Sequence, residues 1–191
     1  MGAGRAALPA ARREHGGEHR REDRPDVGGP GPERPRAGGA TTEPLRLSFD
    51  VACPAEHAFD VWTRRIDAWW PADHTATGED GLEVVLEPRV GGRIYQRDPR
   101  GTEVDWGEVT LWDPPEQLGY LWHLRRDRAD ATDVLITFSP VAADATRVDV
   151  VHSGWERLGA DADRWRHANR GGWTTLMPHF AAAAAADAAE G

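Results

Sequence analysis

The sequence predicts an α+β domain in which a curved antiparallel sheet wraps around a long C-terminal helix. Three observations lead to this fold class. Apolar and polar residues alternate near residue 45 and again in about six segments between residues 82 and 153. Helical spacing of apolar residues follows the first of these segments and returns at the end of the chain. A helix with one apolar stripe must bury it against another layer, and a curved sheet is the economical partner.

The composition changes sharply near residue 43. Residues 1–43 contain no aromatic residue, and Leu8 and Val27 are their only sizeable aliphatic residues. A stretch this rich in Gly, Pro and Arg cannot bury enough apolar surface to offset the entropy lost on ordering it. We therefore expect residues 1–43 to be a disordered tail or an extension from an over-long start assignment. Residues 44–191 are expected to form the folded domain.

The first predicted elements are a strand and two short helices. Residues 45–51 alternate apolar and polar side chains, which is typical of a half-buried strand. Pro54 suits the first position of a helix, where its missing N–H costs no hydrogen bond. The apolar stripe of this helical region is formed by Phe59, Trp62 and Ile66. Pro71 follows Trp69 and Trp70 and is expected to end the second helix.

After a loop at residues 77–81, apolar and polar residues again alternate with a period of two. Strands are predicted at residues 82–86, 93–96, 104–112, 118–124, 133–139 and 146–153. Turns rich in Gly, Pro and Asp separate several of them. The chain ends in a predicted helix with an i, i+3, i+4, i+7 stripe of Trp173, Leu176, Met177 and Phe180. Pro178 is expected to kink this helix near Thr174.

Charge and composition exclude several classes of function. Residues 44–191 carry fifteen arginines against twenty-five acidic residues, which argues against a nucleic-acid partner. Cys53 is the only cysteine, so no intramolecular disulfide can form. No apolar run is long enough to span a membrane, and we expect a cytoplasmic protein without a membrane partner. The Ala-, Gly-, Arg- and Asp-rich composition suits a high-GC bacterial genome.

No metal or nucleotide motif is present. The sequence contains no HExxH motif, no Walker loop and no paired CxxC motif. His15 and His19 are four residues apart, but the two glycines between them disfavour the helix that would align them as ligands. We therefore expect no metal and no cofactor.

Several short motifs occur in a characteristic order along the domain. They are Trp69-Trp70-Pro71 with His74, residues 87–93, residues 106–109, Pro114-Pro115, residues 120–122, and residues 152–155 with Gly172-Trp173. Together they resemble the SRPBCC (START-like) superfamily, and within it the activator of heat-shock-protein-90 ATPase homologues. The resemblance covers about residues 45–186. It implies a helix-grip fold with a hydrophobic cavity between the sheet and the long helix. Because such folds serve ligand carriage as well as polyketide cyclisation, the fold does not decide the function.

The aromatic residues are the main candidates to line this cavity. All nine tryptophans lie beyond residue 44, more than a domain of this size usually holds. Their other role would be as core residues and lids, because each ring buries a large apolar area. The predicted ligand-binding residues are Trp70, His74, Tyr95, Trp106, Trp122, His152, Trp155 and Trp173. For His74 the alternative is a solvated loop histidine.

Two residues are candidates for acid–base chemistry. His152 shares a strand face with Val148 and Val150, so its ring is expected to point inward. Glu108 follows Trp106 by two residues and is expected on the same face of its strand. Glu108 and His152 would form an acid/base pair if they meet inside the cavity. His152 would otherwise be a hydrogen-bonded core histidine or a polar handle for a ligand.

Three functions follow from these observations. The first is a carrier or sensor that binds a small apolar or aromatic molecule. The second is a cyclase- or hydrolase-type enzyme that uses the same cavity. The third is a chaperone-interacting protein, and a homodimer contact also remains open. Carrier and enzyme differ in whether titratable groups converge on one reacting atom inside the cavity.

Overall fold

The computed structural model describes residues 43–188 of the chain. The predicted tail lies outside the described residues except for Glu43, so its disorder stays a prediction. The strands are β1 (Leu45–Val51), β2 (Glu83–Leu86), β3 (Arg93–Arg97), β4 (Glu103–Asp113), β5 (Gln117–Trp122), β6 (Thr132–Ala142) and β7 (Ala145–Ser153). The helices are α1 (Ala55–Thr63), α2 (Ile66–Trp69) and α3 (Ala162–Ala188). Short 3₁₀ segments occupy Ala72–His74, Arg128–Asp130 and Trp155–Asp161.

All seven strands form one antiparallel sheet in the order β1-β7-β6-β5-β4-β3-β2. The first strand therefore lies beside the last one, and consecutive strands are neighbours in the rest of the sheet. The sheet curls around α3, while α1 and α2 follow β1. This arrangement confirms the predicted α+β helix-grip fold.

The apolar stripe of α3 faces the sheet, as its spacing predicts. Trp173, Leu176, Met177 and Phe180 are all at most 8% exposed. The ring centroid of Phe180 lies 4.6 Å from that of Trp62 on α1. Burial of four such side chains is the main reason for α3 to pack here, because each contributes about 1.5–3 kcal/mol when fully buried. The helix continues through Pro178 to Ala188.

A bulge in β4 decides which side chains face inward. Ile94 on β3 pairs with Gly107, and the next residue, Tyr95, pairs with Asp105, which leaves Trp106 as an extra residue. Trp106 is fully buried. Because the bulge adds one residue, the simple alternation of faces is broken at this point, and Glu108 no longer shares the face of Trp106.

The turn after β5 differs from the predicted strand 118–124. β5 ends at Trp122, and the backbone N–H of Arg126 donates a hydrogen bond to the carbonyl oxygen of His123 (2.7 Å). Arg125 has a φ of 61°, which extended backbone does not permit. The chain thus reverses direction at residues 123–126. This turn places Arg125 and Arg126 beside the N-terminal end of α3, near Trp165.

Candidate functional site

A cavity of about 290 Å³ lies between the ends of β5 and β6, the turn at residues 123–126, the 3₁₀ segment Ala72–His74 and α3. Tryptophan rings form a large part of its wall. Five tryptophans line it, namely Trp70, Trp122, Trp155, Trp165 and Trp173. Three leucines and seven polar or charged side chains form much of the remaining wall. A concave site that combines apolar and aromatic side chains with polar groups is the usual form of a small-molecule pocket.

Trp70 and Trp122 form the wall on the sheet side. Trp122 is the last residue of β5, and its ring centroid lies 5.9 Å from that of Trp70. Trp70 directly follows α2, and its indole N–H donates to the carbonyl oxygen of His74 (3.3 Å). Pro71 ends this helical stretch as predicted, so the ring of Trp70 is held at the start of the 3₁₀ segment.

Trp106 supports this wall from behind and does not line the cavity. Its ring centroid lies 5.3 Å from that of Trp70 and 6.0 Å from that of Trp122. Its indole N–H donates to Oε1 of Gln96 (3.2 Å), and the residue is fully buried. The sequence predicts that Trp106 lines the cavity, but in the structure Trp106 packs one layer behind the cavity wall.

His152 also lies one layer behind the wall, with both ring nitrogens in hydrogen bonds. The indole N–H of Trp173 donates to Nδ1 (3.1 Å), and Nε2 lies 2.7 Å from Oγ1 of Thr132. Because an indole nitrogen can only donate, Nδ1 carries no proton and Nε2–H is the donor to Thr132. The ring is fully buried, and this burial lowers the pKa of His152 to about 3.

The Trp–His–Thr arrangement holds His152 neutral and in one tautomer. The hydroxyl of Thr132 donates a hydrogen bond to the carbonyl oxygen of Trp122 (3.2 Å). His152 is thus the hydrogen-bonded core histidine of the sequence analysis, with Trp173 and Thr132 as its partners. Its inward orientation agrees with the prediction from the apolar face of β7.

Glu108 lies on the opposite side of the sheet. Its cross-strand partners are Arg93 and Leu121, and its carboxylate forms an ion pair with Arg128. The side chain is 37% exposed and does not line the cavity. The structure therefore does not bring Glu108 and His152 together, because the bulge at Trp106 moves Glu108 to the outer face.

Tyr95 is on the outer face as well. The guanidinium of Arg93 lies 4.3 Å from its ring centroid, and Nη2 of Arg97 donates to its hydroxyl (2.9 Å). Arg93 in turn contacts Asp105 and Glu103. The hydrogen bond with Asp105, followed by that with Glu103, raises the pKa of the Arg93 guanidinium. Tyr95 thus belongs to a surface network of charged side chains and is not part of the cavity, contrary to its predicted position.

His74 is at the mouth of the cavity, as predicted, although it is not a freely solvated histidine. Nδ1 lies 2.7 Å from Oδ1 of Asp73, and Nε2 lies 2.7 Å from Oγ1 of Thr175 on α3. The hydrogen bond with His74 lowers the pKa of the Asp73 carboxyl. The 3₁₀ segment is therefore tied to α3 at the rim.

Sequence reasoning missed two parts of the site. Trp165 precedes Trp173 by eight residues and so lies on the same side of α3, a spacing that extends the predicted stripe. Arg125 and Arg126 also line the cavity, and the guanidinium of Arg126 lies 4.5 Å from the ring centroid of Trp165. Two adjacent arginines after β5 in an acidic domain could have indicated this part of the site. The predicted strand 118–124 concealed the turn that brings their side chains to the cavity.

Comparisons with known proteins agree with this architecture. Residues 52–185 match the family described as "Activator of Hsp90 ATPase homolog 1-like protein". The chain belongs to this family. It lies within the SRPBCC group of ligand-binding and polyketide-cyclase-like proteins. The comparison with curated proteins gives no match.

The chain is similar to several solved structures, three of which are as follows. The chain is 25% identical to CalC, a self-sacrificing resistance protein from Micromonospora echinospora, over 78% of this chain and 99% of that one, with a TM-score of 0.56. It is 19% identical to protein MLL2253 from Mesorhizobium loti, over 74% and 96% of the two chains, with a TM-score of 0.54. It is 36% identical to Txn09, an anthrahydroquino-gamma-pyrone synthase, over 65% and 84%, with a TM-score of 0.48.

Two features are absent from residues 43–188. No helix in this part of the chain is long and apolar enough to cross a membrane. Within the same residues, no group of three or more His, Cys, Asp or Glu side chains is arranged to hold a metal ion.

Proposed function

We propose that this domain is a carrier or sensor that binds a small, largely aromatic molecule in the cavity between the sheet and α3. The observation that carries the proposal is the set of five tryptophans around a space of about 290 Å³. Aromatic rings offer large flat apolar faces that stack on an aromatic ligand without demanding one particular pattern of hydrogen bonds. The family relationship supports the coarser statement that the chain is a ligand-binding or polyketide-cyclase-like protein.

The groups behind the cavity support binding more than acid–base catalysis. A general acid or base needs a pKa near the working pH and access to the reacting atom. Burial lowers the pKa of His152 to about 3, and Trp173 and Thr132 occupy both of its ring nitrogens. Glu108 is on the other face of the sheet, so the acid/base pair that the enzyme hypothesis requires is not assembled.

A neutral aromatic probe tests the proposal directly. Binding of 2-naphthamide is measured by isothermal titration calorimetry, because this readout does not depend on which tryptophans remain. We expect Trp122→Leu to weaken binding about tenfold, since the ring forms part of the cavity wall and such aromatic contacts contribute about 0.5–1.5 kcal/mol beyond the area they bury.

Trp112 provides the matched control. It is half-buried like Trp122 and lies on the neighbouring strand, but it packs against Phe59 (ring centroids 5.2 Å apart) and does not line the cavity. Trp112→Leu should leave the affinity for 2-naphthamide unchanged. Equal losses in both variants, or no heat of binding with the unaltered protein, would rule out the Trp-lined cavity as the binding site.

A further inference from the structure

One end of the cavity is cationic although the domain is acidic. Arg125 and Arg126 both line it, whereas Asp73 is the only carboxylate in the wall formed by the described residues. Over residues 44–191 the balance is the reverse, with fifteen arginines against twenty-five acidic residues. The local charge of the cavity therefore has the opposite sign to that of the surrounding domain.

Arg126 is incompletely paired. Its side chain is only 17% exposed, and Nη2 contacts Oδ2 of Asp130 at 3.2 Å. The guanidinium lies 4.5 Å from the ring centroid of Trp165, another wall residue. Its Nε–H is buried and has no hydrogen-bond partner among the described residues. The side chain of Arg126 lines the cavity and donates only to Asp130 among the described residues, so most of its N–H groups have no acceptor and can donate to a ligand oxygen.

Arg125 adds a second positive charge at the same end. Its φ of 61° makes it the only non-glycine residue with a positive φ in the described part of the chain. Residues with a Cβ rarely adopt this conformation, and they keep it where the surrounding structure enforces it. Its Nη2 donates to the carbonyl oxygen of Thr75, which joins the turn to the loop after the 3₁₀ segment. The turn thus holds two adjacent arginines against one cavity.

We propose that the ligand of this cavity is an aromatic carboxylate. Its ring lies against the tryptophans, and its carboxylate accepts hydrogen bonds from Arg126 while Arg125 contributes a second charge. A guanidinium presents planar, fork-like donors that match the two oxygens of a carboxylate better than a single neutral oxygen. This inference rests on the proposed function, because it names the class of molecule that the same cavity binds.

Two nearly isosteric probes separate charge from shape. 2-Naphthoate and 2-naphthamide share the same ring and differ in one anionic group, and their affinities are compared by calorimetry. We expect 2-naphthoate to bind about tenfold more tightly, as a charge-assisted hydrogen bond in a partly buried site would give. Raising the salt from about 0.02 M to about 0.5 M should weaken 2-naphthoate binding and leave 2-naphthamide binding unchanged, because salt screens the partly exposed pair.

Substitutions locate the charge. Arg126→Gln should remove the preference for 2-naphthoate, because it weakens binding of the anion more than binding of the neutral amide, while Arg126→Lys should keep only part of the preference, since lysine keeps the charge but has no fork of donors. Arg128→Gln is the matched control. It removes the same charge two residues away, but Arg128 is exposed, pairs with Glu108 and does not line the cavity.

The outcomes distinguish the two proposals. If both probes bind with equal affinity at low salt, the cavity binds aromatic molecules but the carboxylate inference is wrong. A preference that survives in Arg126→Gln, or that disappears equally in Arg128→Gln, also overturns it. If neither probe binds, the proposed function fails and this inference fails with it. Should Arg126→Gln not fold, the salt dependence of the unaltered protein still decides, because a neutral binding site would show none.

Discussion

Nε2 of His74 lies 2.7 Å from Oγ1 of Thr175, so a side chain at the cavity mouth meets one from the long helix. With Asp73 on the other ring nitrogen, the order hydroxyl, imidazole, carboxylate is that of a hydrolase triad. Thr175 does not line the cavity, however, and its hydroxyl also lies 2.9 Å from the carbonyl oxygen of Gly172. The contact therefore acts as a tie between the 3₁₀ segment and α3.

Removal of this tie should cost a measurable amount of stability. Thr175→Val deletes the hydroxyl, and we expect the free energy of unfolding to fall by about 0.5–1.5 kcal/mol, the usual worth of one hydrogen bond. Thr174→Val is the control, because the exposed Thr174 hydroxyl bonds only to the carbonyl oxygen of Arg170 within its own helix (2.9 Å). Urea unfolding measures both variants. Equal losses would show that the bond between His74 and Thr175 contributes nothing.

Phe180 should be the most costly apolar position to truncate on α3. It is fully buried and contacts the rings of Trp62, Trp69 and Phe49. Phe180→Ala leaves a cavity among these rings and should lower the free energy of unfolding by about 3–5 kcal/mol. His179→Ala, on the exposed side of the same turn, should change it by less than about 0.5 kcal/mol. A small loss at Phe180 would contradict the packing of α3 against the rest of the core.

Stability should depend on pH through His152. Burial lowers the pKa of the folded-state imidazole to about 3, whereas the unfolded chain has an ordinary histidine with a pKa of 6.5. Between these values the unfolded chain binds a proton that the folded domain does not bind. The contribution of His152 to the free energy of unfolding is therefore fully present above a pH of about 6.5. It falls by about 1.4 kcal/mol per pH unit as the pH drops towards 3.

The measurement compares unfolding free energies of the unaltered protein and of His152→Gln between a pH of about 4 and about 7. The carboxylates titrate in both proteins, so the difference between the two slopes isolates His152. In this range, the slope of unfolding free energy against pH should be smaller in the variant by the amount that one bound proton contributes, about 1.4 kcal/mol per pH unit. Identical slopes would mean that His152 titrates normally in the folded domain.

Trp173→Phe tests the hydrogen bond that fixes the tautomer of His152. The substitution keeps an aromatic ring but removes the N–H that donates to Nδ1, which leaves a buried acceptor without its partner. We expect a loss of about 1–3 kcal/mol in unfolding free energy. Trp112→Phe makes the same chemical change at a half-buried ring outside this arrangement and should cost less. A loss at Trp173 no larger than that at Trp112 would contradict the assigned role of the indole N–H.

The sequence predicted the fold and the aromatic character of the cavity better than the faces of individual strands. Periodicity identified the stripe of α3 because four apolar residues repeat at helical spacing. It failed for Glu108, since one extra residue at Trp106 breaks the alternation of β4 and no local signal announces a bulge. For Tyr95 the alternation itself holds, because Tyr95 shares the outer face of β3 with Arg93 and Arg97. Arg126 was missed for a related reason, because only the turn after Trp122 brings its side chain to the cavity.

The rings of this domain also form a continuous chain from the core to the cavity. Trp62 lies 5.2 Å from Trp69, Trp69 lies 5.4 Å from Trp70, and Trp70 lies 5.9 Å from Trp122 between ring centroids. Indoles at these separations share electronic excitation, so light absorbed deep in the core is passed along to the wall. A bound molecule that accepts this energy at Trp122 would dim the emission of rings it never touches. The tryptophan emission of the domain should therefore change when such a molecule occupies the cavity.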